Sequence, residues 1–180
     1  MLNQTFLRLL AVVSIFILLT PGQALAKPVT VKEIRVAVRA FGFAYDLPKG
    51  DLEIEIIYNP QNPKSFSEAE KLSKILKGGM KVGSRKLRGK LTPVGQMGST
   101  GNKIAYITGG LKQDYSSIST KASQAKLLTF TTDFSCVSEQ ICVMGISTTP
   151  TIKIEVSRSA TRASQLIFSQ ALKFMIREVE

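Results

Sequence analysis

Few residues in this chain belong to the types that carry out covalent or acid–base chemistry. The 180 residues include two Cys and no His. A Ser-His-Asp triad, a Cys-His dyad, an imidazole general base and a His-ligated metal are therefore excluded. Two thiolates alone do not complete a zinc or iron–sulfur site. We expect a protein without enzymatic activity and without a bound cofactor or metal.

Two patterns match catalytic arrangements only in part. Ser123-Gln124-Ala125-Lys126 fits the S-x-x-K motif of serine acyl-enzymes, but the partner motifs S-x-N and K-T-G are missing. We interpret it as the exposed end of a helix. Glu53 and Glu55 share one face of a predicted strand, because side chains alternate with a period of two. We expect them at a solvent-facing edge and not as an acid/base pair.

The first 26 residues have the three-part layout of an export signal. Arg8 supplies a positive charge, an uncharged apolar run covers 9–19, and Ala24-Leu25-Ala26 is an A-x-A cleavage motif. The apolar run is too short for a bilayer core, which needs about 20 residues. We predict that 1–26 is a signal peptide cleaved between Ala26 and Lys27, with Ala24 and Ala26 as the small residues that signal peptidase recognises. We predict that 27–180 forms one domain without a transmembrane anchor. The predicted location is the periplasm of a Gram-negative host.

The predicted export to an oxidising compartment favours a disulfide between the two cysteines. Cys136 and Cys142 are an even and closely spaced pair, which in an exported protein is most simply a disulfide. Closing so short a loop stabilises the fold by about 2 kcal/mol in the chain-entropy description. A regulatory redox role is the open alternative, although the spacing is not C-x-x-C.

Charge is unevenly distributed along the chain, whose formal net charge is +11. From Lys71 to Gln113 there are ten Lys or Arg residues and no Asp or Glu. This asymmetry favours an acidic partner, such as a protein surface, an anionic lipid or an acidic polysaccharide. Nucleic acid is not expected, because the protein is exported and no aromatic residues are interleaved with the charges. The candidate binding residues are Lys81, Arg85, Lys86, Arg88 and Lys90; the alternative is a solvated face without a partner.

Apolar periodicity divides the chain after the signal into alternating helices and strands. Helices are predicted over 31–45, 65–77 (with a Ser67/Glu70 capping box) and 113–126, and strands over 52–58, 86–94, 103–108 and 127–132. Segments 141–147 and 151–156 are predicted to form an antiparallel hairpin. A helix capped by Ser157 or Ser159 is predicted to run to about Arg177. The order indicates a three-layer α/β/α sandwich with a mostly parallel central sheet, a C-terminal antiparallel hairpin and a long C-terminal helix.

A resemblance to a known family is carried by residues 135–178. The cysteine pair is followed by Gly145, a strand and a helix, an order that resembles the C-terminal part of the YfiR/HmsC-like family. In that family the strand ends in Asn, an Ala comes three residues later, and a Gly-Leu pair follows. In this sequence Ser157 occupies the position of the Asn and Ala160 matches the family's Ala. Gln165 replaces the Gly, and Leu166 matches the Leu that follows it.

The resemblance implies a function as well as a fold. The best-known members of the family are periplasmic repressors that bind the periplasmic domain of a membrane diguanylate cyclase and so reduce cyclic-di-GMP synthesis, exopolysaccharide and biofilm formation. It implies a non-enzymatic regulatory protein that docks onto a membrane signalling protein, with a homodimer left open. The alternative is a small-ligand or anion-binding module related to one lobe of a periplasmic substrate-binding protein, with the basic stretch binding the anion. Tyr58-Asn59-Pro60 resembles that class.

Overall fold

The computed structural model describes residues 29–180, so the predicted cleavage site at Ala24 and Ala26 lies outside the described residues. The strands are β1 (Leu52–Tyr58), β2 (Met80–Val82), β3 (Arg85–Pro93), β4 (Ile104–Ile107), β5 (Leu128–Thr131), β6 (Met144–Ser147), β7 (Lys153–Ser157) and β8 (Arg177–Val179). They form one eight-stranded sheet in the order β2-β3-β1-β4-β5-β6-β7-β8. The helices are α1 (Val31–Phe41), α2 (Pro63–Leu76), α3 (Tyr115–Ala125), α4 (Phe134–Ser138), α5 (Arg158–Ala163) and α6 (Gln170–Lys173).

The five central strands, β3, β1, β4, β5 and β6, run parallel, whereas β2 pairs antiparallel with β3 and β7 pairs antiparallel with β6. Successive side chains of a strand point to opposite faces of the sheet. Ile54 and Ile56 accordingly join one apolar cluster with α1 and α2, and Ile57 joins a second cluster with α3 and α4. The mostly parallel α/β sandwich and the antiparallel β6–β7 hairpin are confirmed.

The start of α2 differs from the predicted one. The Asn62 side chain caps the helix by accepting hydrogen bonds from the backbone N–H groups of Lys64 (3.1 Å) and Ser65 (3.2 Å). Ser67 and Glu70 lie inside the helix, so the predicted capping box is wrong. The Asn62 side chain accepts from N–H groups that have no partner within the helix. Pro63 is favourable at the first helical position because an N–H there would have no such partner either.

The prediction of a long C-terminal helix is also wrong. After α5 the chain turns at Gln165, whose φ is +54°. The following residues pair with the segment after α1, where the Tyr45 N–H donates to the Ile167 carbonyl at 3.0 Å. The chain then forms the short helix α6 and the strand β8, which pairs parallel with β7. The residues whose helical spacing predicts a shared buried face are Ala160, Ala163, Ile167, Ala171 and Met175. Only Ala160 among them is buried.

The Gly-rich stretch 95–103 connects β3 to β4 and must pass over β1, which lies between them. On this path Gly98 N–H donates to Glu55 Oε2 at 3.0 Å, and the Thr100 hydroxyl also bonds the Glu55 carboxylate. Glu55 is therefore completely buried, and the expected solvent-facing position is wrong for it. Glu53 is exposed, as expected, and accepts from Asn102 Nδ2 at 2.9 Å.

Candidate functional site at the carboxyl edge of the sheet

The chain changes direction across the sheet between β1 and β4. From β1 it continues through α2 to β3 on one side, and from β4 it continues through α3 to β5 on the other. The two connections leave on opposite faces, so their loops separate at the carboxyl ends of the strands. In open α/β sheets such a switch point is where ligands bind. We call the residues that follow β1, β4 and β5 here the carboxyl edge: 59–62, 108–114 and 132–135.

Two asparagines join the loops on either side of the switch point. Asn59 Nδ2 donates to Asp114 Oδ2 at 3.1 Å, and Asn62 Nδ2 donates to the Gly110 carbonyl at 2.8 Å. Gly110 has a φ of +83°, and a Cβ there would lie 3.1 Å from Asn62 Nδ2. A side chain at position 110 would therefore be strained and would crowd the amide that holds the loop.

Below the asparagines lies a chain of buried hydroxyl groups. The Thr108 hydroxyl donates to the Ile57 carbonyl at 2.9 Å, so it must accept from the Ser65 hydroxyl, which is 2.7 Å away. Ser65 Oγ in turn accepts from the Asn59 N–H at 3.0 Å. Each donor thus has one acceptor, and the relay fixes the end of β1, the start of α2 and the end of β4 relative to one another.

A buried carboxylate lies beside this relay. Glu68 accepts a hydrogen bond from the Tyr106 hydroxyl through Oε1 and one from Gly109 N–H through Oε2, at 2.9 Å. Tyr106 also lies 3.2 Å from Thr132 Oγ1, so the network reaches the end of β5. Burial raises the pKa of Glu68 despite the two donors, and burial next to Glu68 raises the pKa of Tyr106 well above its ordinary value.

The loop after β5 completes the carboxyl edge. Asp133 caps α4 by accepting from Ser135 N–H at 3.1 Å and from the Ser135 hydroxyl at 2.7 Å. Tyr115, whose pKa burial raises to about 12, lies with its hydroxyl 3.2 Å from Ser135 Oγ. The disulfide between Cys136 and Cys142 closes α4 onto the start of the next segment, as predicted.

The groups at this edge are neutral donors and acceptors together with carboxylates. The edge itself carries Asp114, Asp133 and Lys112, and Lys153 Nζ lies 4.6 Å from the centre of the Phe134 ring. Both lysines are paired with glutamates: Lys112 Nζ lies 2.7 Å from Glu139 Oε1, and Lys153 Nζ lies 2.9 Å from Glu155 Oε1. The two aspartates therefore make the edge better suited to neutral or cationic polar groups than to an anion.

An aromatic pair flanks the edge on the α2 side. Tyr58 ends β1 and Phe66 lies in the first turn of α2, with their ring centroids 5.6 Å apart. Both rings retain solvent exposure. They offer an apolar surface next to the hydrogen-bonding groups, a combination that is common in small-molecule sites.

The predicted basic residues lie elsewhere. Lys81 is on β2, and Arg85, Lys86, Arg88 and Lys90 are on β3, at the outer margin of the sheet. They are therefore not part of the carboxyl edge, and an anion site formed by the basic stretch stays a prediction. Their role in binding a partner stays a prediction.

One other sequence interpretation has a structural outcome. Lys126 ends α3 in an exposed position and Ser123 Oγ donates to the Ala163 carbonyl at 2.9 Å, as expected for the end of a helix. No group of three or more Cys, Asp or Glu residues within 29–180 is arranged to hold a metal ion.

Most residues of the carboxyl edge were not identified from the sequence. Tyr58-Asn59-Pro60 was the one signal noticed there. Glu68 looks like an ordinary polar helix position, and Thr108-Gly109-Gly110 looks like a turn. A useful signal would have been the position itself, because polar and Gly residues directly after an apolar strand gather at one edge when strands are parallel.

Comparison with known proteins supports the fold. No protein-family model matches the sequence, and the curated proteins give no match either. The ligand-free, open structure of CD0873, a substrate binding protein with adhesive properties from Clostridium difficile, matches with a TM-score of 0.57, 13% identity and 84% of this chain covered. A conserved domain protein from Vibrio cholerae O1 biovar El Tor matches with a TM-score of 0.54, 13% identity and 83% of this chain covered. The chain spans 60% and 59% of their lengths, and the likeness is one of fold.

Proposed function

We propose that this protein is a non-catalytic ligand-binding domain that holds a small polar molecule at the carboxyl edge. The observation that carries the proposal is the switch point between β1 and β4, where two asparagines, a hydroxyl relay and a buried carboxylate converge. The likeness in fold to CD0873, a substrate binding protein, supports the same assignment. The relation would be to one lobe of such a protein.

The ligand class follows from the charge of the edge. A neutral or cationic polar molecule would meet carboxylates and amides, whereas an anion would be repelled by Asp114 and Asp133. A ring or aliphatic part of the ligand would pack on Tyr58 and Phe66. Because the hydrogen bonds between the loops already exist, little ordering of the protein would be needed on binding.

Export of the protein is part of the proposal. The predicted signal peptide and the Cys136–Cys142 disulfide both support a periplasmic location, since disulfides persist in oxidising compartments. No helix within 29–180 is long and apolar enough to cross a membrane.

We propose the YfiR/HmsC-like regulatory role as the second candidate. One observation favours it: Gln165, which replaces the Gly of the family pattern, has a positive φ that Gly adopts most easily, and Leu166 after it is buried. Affinity capture from membranes tests this candidate. Recovery of a diguanylate cyclase with a periplasmic domain would support it, and recovery of no signalling protein would count against it.

A thermal-shift screen tests the ligand-binding proposal. Neutral and cationic polar compounds, such as amino acids, amides, sugars and polyamines, are added to the exported protein. A compound at about 100 times its Kd should stabilise the fold by about 2.7 kcal/mol.

Two asparagine variants provide the specificity control. Asn59→Ala should abolish the shift, because Asn59 lies at the carboxyl edge. Asn102→Ala should retain it, because Asn102 lies before β4 at the opposite end of the sheet. A hit that both variants bind equally well, or no hit in the whole panel, would overturn the proposal.

A further inference from the structure

The outer margin of the sheet carries positive charge without partners. Within residues 29–180, none of the basic side chains from Lys71 to Lys103 forms a salt bridge. Arg85 Nη1 is buried and has no hydrogen-bond acceptor there. Buried polar atoms are nearly always satisfied in folded proteins, so an unsatisfied guanidinium nitrogen requires a specific explanation. We call Lys77, Lys81, Arg85, Lys86 and Arg88 the basic margin.

Strand pairing holds two of these cations face to face. Lys81 on β2 is directly opposite Lys86 on β3. Lys86 donates its backbone N–H to Asp51 Oδ1 at 3.0 Å, on the side away from β2. The two lysines are therefore a non-hydrogen-bonded pair, the closer of the two antiparallel arrangements, and like charges placed there repel.

The same geometry leaves backbone groups free at the margin. In a non-hydrogen-bonded pair, the N–H and C=O of Lys81 point away from β3. Among the strands of residues 29–180, β2 is the outermost at this side of the sheet, so these groups face outward without a neighbouring strand there. An unpaired strand edge is a template for an extended peptide.

A groove of about 450 Å³ lies beside this edge, lined in part by Lys77, Lys86 and Arg88. A glycine makes it possible for Lys86 to lie there. Gly79 has a φ of +88°, and a Cβ at that position would lie 2.2 Å from Lys86 Cε. The groove is at the C-terminal end of α2, whereas the carboxyl edge is at the N-terminal end of the same helix.

We propose that the basic margin binds an extended acidic segment of a protein partner, which lies along β2 and places carboxylates in the groove. The proposal goes beyond the ligand site described above, since it concerns the opposite end of α2. A concave groove suits side chains better than a flat lipid surface. None of the residues within 29–180 that line it is aromatic, so they offer no stacking surface for nucleic acid bases. Lys81 on β2 would repel a basic strand or a second copy of β2 and attract an acidic strand.

Fluorescence anisotropy with labelled peptides tests this proposal on the exported protein. The first probe is a ten-residue peptide that alternates Glu with Thr or Val, and the second has the same charge with Pro at alternate positions. The first should bind at least tenfold more tightly, because Pro removes the backbone N–H groups that a strand donates. Binding of the first should weaken steeply with added salt.

Matched charge variants locate the site. Lys86→Glu with Arg88→Glu should reduce the affinity for the first probe at least tenfold. Arg162→Glu with Lys173→Glu, the same charge change at exposed positions on α5 and α6 that do not line the groove, should alter it less than threefold. If the double glutamate variant does not fold, Lys86→Gln with Arg88→Gln should show the same direction.

The remaining outcomes overturn the proposal. Equal affinity for the two peptides would indicate charge attraction without strand addition. Binding of heparin or of vesicles rich in anionic lipid that depends on Lys86 and Arg88, without binding of the acidic peptide, would assign the groove to a different class of partner. Equal losses in the two charge variants would mean that net charge alone decides.

Discussion

The two ends of α2 present opposite kinds of polar surface. At its N-terminal end, the Glu68 carboxylate and the hydroxyl relay are fully hydrogen-bonded by neighbouring elements. At its C-terminal end, the cations of the basic margin have no salt bridge within 29–180. A satisfied buried network holds loops in one arrangement, whereas unpaired exposed charge acts over a distance and is screened by salt. We therefore expect the N-terminal end of α2 to contribute to the stability of the fold, and its C-terminal end to contribute long-range attraction of acidic groups.

The largest difference in the free energy of unfolding is expected when one charged side chain is removed at each end of α2. Glu68→Leu leaves the Tyr106 hydroxyl and the Gly109 N–H without their acceptor, so we expect the free energy of unfolding to fall by roughly 2–4 kcal/mol. Arg88→Leu removes an exposed cation and should change it by less than about 0.5 kcal/mol. Urea denaturation measures both. Similar losses would break the comparison.

The disulfide should stabilise the carboxyl edge by a smaller amount. Replacing Cys136 and Cys142 with Ala opens a loop with a sequence separation of 6. We expect a loss of about 2 kcal/mol and a lower Tm. The control is the wild-type protein in reducing agent, whose Tm should fall by a similar amount. An unchanged Tm in both samples would show that α4 is held by packing alone.

The N-terminal end of α2 should make the stability of the protein depend on pH through Glu68. Because burial raises the pKa of Glu68 above the ordinary 4.5, the folded state binds more protons than the unfolded state just above pH 4.5. The free energy of unfolding should therefore fall as pH rises from 4.5 through the raised pKa. Glu68→Gln keeps a side chain that can form hydrogen bonds but does not titrate, so it should flatten that decline.

Glu33 provides an internal control of opposite sign. Its burial opposes ionisation, but hydrogen bonds from Thr148 and Thr30 outweigh burial and lower its pKa. Its contribution is present above 4.5 and is lost as pH falls through the lowered pKa, so the two pH windows do not overlap. Urea unfolding of wild type and Glu68→Gln across both windows separates the two groups. A decline above 4.5 that persists in Glu68→Gln would contradict the assignment.

The smallest effect is expected at the basic margin. Lys81→Gln relieves the repulsion with Lys86, so we expect the free energy of unfolding to rise by about 0.2–0.5 kcal/mol at low salt. The gain should disappear at about 1 M salt, where the Debye length is about 3 Å. Lys173→Gln, at an exposed position on α6 that does not line the groove, should show no such gain. A loss of stability in Lys81→Gln would mean that the Lys81 side chain is held by contacts and not strained by repulsion.

Elements with a strong local pattern were predictable, and those that depend on pairing were not. The strand 52–58 was predicted with its observed bounds, because its apolar residues and the Asn59-Pro60 stop are local signals. β2 and β8 are three residues each and exist only because a neighbouring strand supplies hydrogen bonds. The long helix after Ser157 failed for a related reason. Its small and apolar residues fit a helical period, but pairing of 167–169 with 43–45 stabilises an extended chain instead.

The amino-acid sequence alone determined the α/β class, the parallel core, the cysteine pair and the excess of positive charge between Lys71 and Gln113. These properties follow from composition, periodicity and local spacing. Only the tertiary structure decided that Glu55 is buried beneath a loop, that Glu68 faces Tyr106 and Gly109, and that Lys81 is opposite Lys86. The physical reason is that burial and hydrogen bonding join residues that are distant in the chain. They depend on which strands become neighbours, and a single sequence does not state that order.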